Sequence, residues 1–120
     1  MYNEIAQSLV QVLPENWEDV MLYTHVREYG YEIFFYVKVD DKYIGCFNME
    51  KRYGISMDEI MDCFDEIYDI LYPDYQKKGW FSASVRLSND GKMLMYYDYD
   101  DHTEDEDEYH VEWKKKYLSA

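Results

Sequence analysis

The sequence predicts a single α+β domain over residues 1–120, an antiparallel β-sheet with two main α-helices packed on one face. Three patterns predict it. Apolar side chains alternate through Tyr31 to Val39 and through Phe81 to Leu87, the period of two that a pleated strand requires. They recur at helical spacing in residues 3–13 and again after Ser56, and short turn signals separate the strand-like runs. Helices with one apolar stripe then have a sheet face to cover.

Ile5, Leu9, Val12 and Leu13 mark a short amphipathic helix over residues 3–13, with Asn3 as a candidate cap and Pro14 closing it. A meander follows: strands Val20 to Arg27 and Tyr31 to Val39 meet at Tyr29-Gly30, and Tyr43 to Phe47 follows Asp40-Asp41-Lys42. In its middle strand Ile33, Phe35, Val37 and Val39 share one face. Phe34, Tyr36 and Lys38 share the other, which is too aromatic for a plainly solvated surface and could meet a helix, a partner or a second copy in a homodimer. Ser56-Met57-Asp58-Glu59 is a capping box opening a helix with Ile60, Phe64, Ile67, Tyr68 and Leu71 as its buried stripe, which Pro73 is expected to stop near Tyr72. Phe81, Ala83, Val85 and Leu87 alternate with Ser82, Ser84 and Arg86, and Asn89-Asp90-Gly91 turns the chain into Met93 to Asp100. Tyr109, Val111 and Trp113 alternate with His110, Glu112 and Lys114 and predict one more strand or extended tail before Lys114-Lys115-Lys116. Trp17 is expected as a packing anchor, whereas Trp80 and Trp113 stand at strand edges and suit either a core edge or a contact. Met57, Met61, Met93 and Met95 follow the local periodicities and read as core filler.

A chain this long buries roughly two-thirds of its unfolded surface, enough for one core. Cys46 and Cys63 have no CxxC spacing and fall within regular structure, so they are expected as reduced thiols of an intracellular protein. Residues 1–13 lack the basic and apolar regions of an export signal, and no run approaches the roughly 18 apolar residues of a membrane span. A cytoplasmic location is expected. The formal net charge of −14 would repel anionic lipid and nucleic-acid phosphate alike, so neither membrane nor nucleic acid is an expected direct partner.

That charge is concentrated. From Asp98 to Glu108 eight of eleven residues are carboxylates. Such crowding costs self-repulsion in the free protein, so its use is against something strongly basic. The predicted partner-binding residues are Tyr96, Tyr97, Asp98, Tyr99, Asp100, Asp101, Glu104, Asp105 and Glu106. On the return strand Met93, Met95, Tyr97 and Tyr99 share one face, and Leu94, Tyr96, Asp98 and Asp100 share the other. The run Glu104 to Glu108 reads as a mobile solvated loop supplying a field, and the lysines of 114–116 as its counter-charge within the molecule. Two other readings use the same residues. A general acidic DNA mimic would bind many basic proteins weakly, and a calcium-responsive module would place Asp98, Asp100 and His102 at the first, third and fifth loop positions. The calcium pattern fails at its sixth position, Thr103 in place of Gly, and at its twelfth, Tyr109 in place of Glu. His25, His102 and His110 lack HExxH or CxxC context and no Gly-rich phosphate loop is present, so no catalytic residue, cofactor or metal ligand is predicted.

Several short segments, in order along the chain, resemble the YezG/EsaG-like family of bacterial immunity proteins. They are Tyr2, Glu4 and Ile5; Pro14-Glu15 and Trp17; Leu22-Tyr23; Gly91-Lys92 leading to Tyr97-Asp98-Tyr99-Asp100; and Glu112-Trp113 with Lys116-Tyr117-Leu118. The resemblance implies a cytoplasmic antitoxin that neutralises the C-terminal domain, often a nuclease, of a large secreted toxin. The loop before the capped helix is short for that family and the acidic tract is dense, which bears on which toxin is the partner.

Overall fold

One strand organises the molecule. In the computed structural model, which describes residues 1–118, β1 (Asp19–Arg27) lies at the centre of a five-stranded antiparallel sheet. β2 (Gly30–Val39) and β3 (Lys42–Gly45) continue the meander on one side, and β4 (Ser82–Ser88) and β5 (Met93–Asp98) form a hairpin on the other, giving the order β3-β2-β1-β4-β5. The turns follow their residues. Asp40 and Asp41, between the paired Val39 and Lys42, take the left-handed conformation that a two-residue hairpin demands and that short polar side chains tolerate. Gly91 supplies a φ of 90° between β4 and β5, a conformation that a β-carbon would strain.

The main core lies on the face carrying Val20, Leu22, Val26, Ile33, Phe35, Val37, Ala83, Val85 and Leu87, all buried. α1 (Tyr2–Val10) and α3 (Met57–Lys78) cover it. Ile5 and Leu9 of α1, and Ile60, Phe64, Ile67 and Leu71 of α3, are the expected stripes and are fully or almost fully buried. α1 ends earlier than Pro14 requires, yet Val12 and Leu13 still enter the core. A 3₁₀ turn, Cys46–Asn48, and the short α2 (Met49–Tyr53) lead from β3 to the cap of α3, where Ser56 Oγ accepts from Asp58 N. Trp17 packs partly buried against this core. Trp80 is completely buried and so belongs to packing rather than to a contact surface. Cys46 and Cys63 are buried free thiols, and burial raises both above the ordinary thiol range, Cys63 to about 12.

Pro73 does not stop α3, which continues to Lys78. Proline inside a helix forfeits one backbone bond and costs roughly 3 kcal/mol. The turn beyond it is held by its side chains: Asp74 accepts from Trp80 Nε1 at 3.0 Å and meets Lys78 at 3.2 Å, while Tyr75 packs edge-on against Trp80. Gly79, left-handed at φ 71°, then closes the helix through its N–H to Tyr75 O.

The C-terminal segment is helical, not the predicted strand or tail. α4 (Glu106–Leu118) lies across the second face of the sheet and occupies the aromatic surface that the sequence leaves open to a helix, a partner or a second copy. Its inward row is Glu106, Tyr109, His110, Trp113 and Tyr117, at helical spacing. Trp113 is 3% exposed against Met21 and Tyr23, and its Nε1 donates to Ser84 Oγ at 2.8 Å. The His110 ring stacks on Tyr23 at 4.5 Å and on Phe34 at 5.3 Å, with Nε2 3.1 Å from Tyr36 Oη. Tyr109 Oη bonds Ser82 Oγ at 2.7 Å, and Arg86 Nη2 donates to the Tyr117 carbonyl at 2.9 Å. Val111, the apolar residue of the misleading alternation, faces outward.

Trp113→Ala should destabilise the protein by about 3–5 kcal/mol in urea unfolding, since it removes a buried indole and orphans a buried serine. Val111→Ala should change stability by no more than about 0.5 kcal/mol. Burial, reinforced by the Lys114 cation and opposed by Asp107, pushes the His110 imidazole below its ordinary value. The unfolded chain therefore takes up the proton first, so this contribution is full above about pH 6.5 and is lost as pH falls below it. His110→Phe, which retains a stacking ring but cannot titrate, should lose less melting temperature than the parent between about pH 7.5 and about pH 5.5.

Candidate functional site

The acidic tract becomes a structured turn joining the end of β5 to the start of α4. His102 is its hub. Nε2 meets Asp98 Oδ2 at 3.2 Å, Nδ1 meets Asp105 Oδ1 at 3.4 Å, and the ring stacks on Tyr109 at 4.0 Å with Phe81 edge-on at 5.3 Å. Local hydrogen bonds tighten the turn further. Asp98 Oδ1 accepts from Asp100 N at 2.9 Å, and Asp101 Oδ1 accepts from both the amide and the hydroxyl of Thr103. Those bonds to Thr103 hold the Asp101 carboxyl below its ordinary range.

The nine predicted contact residues separate into two sets. Tyr96, Tyr99, Asp100, Asp101, Glu104 and Asp105 are exposed, whereas Tyr97, Asp98 and Glu106 are partly buried. Tyr97 turns to the main core beside Trp80, with Lys78 Nζ 5.0 Å above its ring. Tyr96 is on the opposite face and rests against Tyr117 at 5.4 Å. Asp98 accepts from the Asp100 amide and meets His102, so it braces the turn as well as contributing charge. Glu106 is no part of a mobile run: with Asp107 and Glu108 it forms the first turn of α4, where acidic side chains favour the helix dipole. Its carboxylate faces inward to His25 on β1, Oε1 to Nδ1 2.6 Å.

A cavity of about 400 Å³ opens beside this turn, between β1 and the end of α3; His25, Arg27, Trp80, Phe81, Tyr99 and Glu106 line much of it. Two groups of potential ligand side chains also come together here. Asp98, Asp100 and His102 lie on the turn itself, and His25, Glu32 and Glu106 lie beneath it. The residues missed by sequence reasoning are the supports: Phe81 and Tyr109 under His102, and Ser82 under Tyr109. The spacing of Glu106, Tyr109, His110, Trp113 and Tyr117 carries the signal for Tyr109, hidden by the alternation of Tyr109, Val111 and Trp113.

Among the described residues no helix is long and apolar enough to cross a membrane. The family described as "Immunity protein YezG-like" matches residues 1–120. The immunity protein YezG of Bacillus spizizenii is 24% identical over 109 residues, covering 84% of this chain and 68% of that protein. The type VII secretion system protein EsaG of Staphylococcus aureus is 28% identical over 109 residues, covering 84% and 67%. A match along the whole length places the chain in the YezG-like family of immunity proteins.

Proposed function

We propose that this protein is an antitoxin that neutralises the toxin domain of a secreted toxin, a nuclease, by stoichiometric binding without chemistry. The acidic turn is the contact surface. The observation that carries this reading is the combination of exposed Asp100, Asp101, Glu104 and Asp105 with a turn fixed by His102, Asp98 and Thr103. Carboxylates held in place lose less freedom on binding than those of a mobile tail, so more of their interaction with a basic partner survives as affinity. A nuclease presents cations where phosphate will sit, and fixed carboxylates are suited to occupy those positions. Tyr96 and Tyr99, exposed at either side, supply the aromatic area that anchors such interfaces. The type VII secretion name of EsaG supports export of the toxin by that route, with the antitoxin remaining in the cytoplasm of the producing cell.

The test is to capture the partner from native cells with tagged protein, then co-express its toxin domain with the antitoxin or with Asp100→Asn and Glu104→Gln combined. The combined variant should fold normally, lose protection, and associate with the toxin on the order of 10-fold or more slowly at low salt. Undiminished protection by that variant would remove the acidic turn from the interface. Recovery of many salt-labile basic proteins in place of one stoichiometric toxin would favour the general DNA-mimic reading.

A further inference from the structure

We propose that His25, Glu32 and Glu106 bind a divalent ion of zinc's type, which clasps the first turn of α4 to the sheet. The three residues come from three elements. His25 and Glu32 are direct cross-strand partners on β1 and β2, and α4 delivers Glu106 above them. One ligand atom from each lies within 4.8 Å of the others. A tetrahedral zinc site with bonds near 2.0–2.2 Å needs its ligand atoms about 3.4 Å apart, so His25 Nδ1 and Glu106 Oε1 would separate by about 0.8 Å from their 2.6 Å contact.

The second observation concerns hydrogen bonding. His25 is only 5% exposed, and its Nδ1 and Glu106 Oε1, both buried, pair with each other at 2.6 Å and have no other partner among the described residues. Neither atom is held by a further bond, so a cation can take the place of the proton they share. Charge points the same way. Two carboxylates beside one imidazole leave an excess of negative charge, and Asp101 and Asp107 add to it. Arg27 opposes it from 3.5 Å, but it approaches Glu32 at a partly exposed position. One imidazole and two carboxylates suit zinc, and suit it better than calcium or magnesium, which prefer oxygen alone. The cavity lined by His25 and Glu106 gives an entry path and room for a water as fourth ligand.

Chelator-treated full-length protein should be titrated with Zn²⁺ by calorimetry, with melting followed in parallel and Ca²⁺ and Mg²⁺ at equal ionic strength as controls. The expected result is saturation at one Zn²⁺ per chain with a melting rise of at least about 3 °C, and no comparable rise with the control ions. Co²⁺ in its place should give a visible absorption band. Glu32→Gln, at a partly exposed position, should fold and weaken Zn²⁺ binding on the order of 10-fold or more, and Glu106→Gln should do the same. Asp100→Asn, at an exposed position, disables the neighbouring group on the turn and should leave the affinity unchanged. No saturable binding, or binding lost in Asp100→Asn but kept in both glutamine variants, would overturn the proposal.

Discussion

The docking of α4 across β4 is the interaction on which the other features depend. β1 is central in the sheet and buried on both faces, with Val20, Leu22 and Val26 toward the helices of the main core and Met21, Tyr23 and His25 toward α4. Without α4, that second row and its neighbours Phe34 and Tyr36 would meet water. The contact is not a hydrophobic stripe on a hydrophobic sheet. Ser82, Ser84 and Arg86, spaced along one face of β4, each bond a different turn of the helix, at Tyr109, Trp113 and the Tyr117 carbonyl. Aromatic rings fill the space between those bonds, and the polar edges of Tyr36, Tyr109 and Trp113 are hydrogen-bonded. Arg86 also bonds Asp19 at 2.7 Å and Tyr43 at 3.1 Å, tying β1, β3, β4 and the end of α4 into one network. Mixed contacts of this kind fix register, because a shift by one residue breaks every bond together.

The same docking sets the shape of the acidic turn. Its two ends are β5 and α4, so once α4 is seated the intervening residues have little freedom. Tyr109 then serves both purposes: its hydroxyl bonds Ser82 below and its ring carries His102 above. His102 in turn meets an aspartate on each side of the turn. What remains outward is a compact set of carboxylates on a rigid base. Tyr97, Asp98 and Glu106 hold that base together, which separates a residue that shapes the surface from one that offers itself to a partner.

Much of the architecture was legible in the chain because its cues were local. The two-residue spacing of Ile33 to Val39 and Phe81 to Leu87, the turn at Asn89-Asp90-Gly91 and the serine cap at Ser56 each act over a few residues, and each lies where the periodicity puts it. The features that escaped depend on distant partners. Pro73 would stop a helix judged alone, but Asp74, Tyr75 and Trp80 hold its last turn from outside. α4 escaped for the opposite reason. Its buried row is Glu, Tyr, His, Trp and Tyr, which a hydrophobicity pattern cannot distinguish from a wet face, while the serines that receive it looked like the solvated side of β4. The acidic turn was legible as charge, and the partition of its residues was not, since only the helix decides which carboxylates face inward.

This partition bears on how such a protein can diversify. A surface that must match one toxin has to change as the toxin changes, yet a fold with a central strand buried on both faces tolerates little change there. Under the contact proposed above, the two demands fall on neighbouring residues in the same short segment. Asp100 and Glu104 have exposed side chains, and charge-preserving or charge-altering substitutions at such positions typically shift stability by only about 0.5 kcal/mol. Phe81, Tyr109 and the inward carboxylate of Glu106 are engaged by several elements at once, so changes there propagate into the sheet. The turn can therefore vary its outer charges while its base stays constant, which is the separation that the proposed role requires.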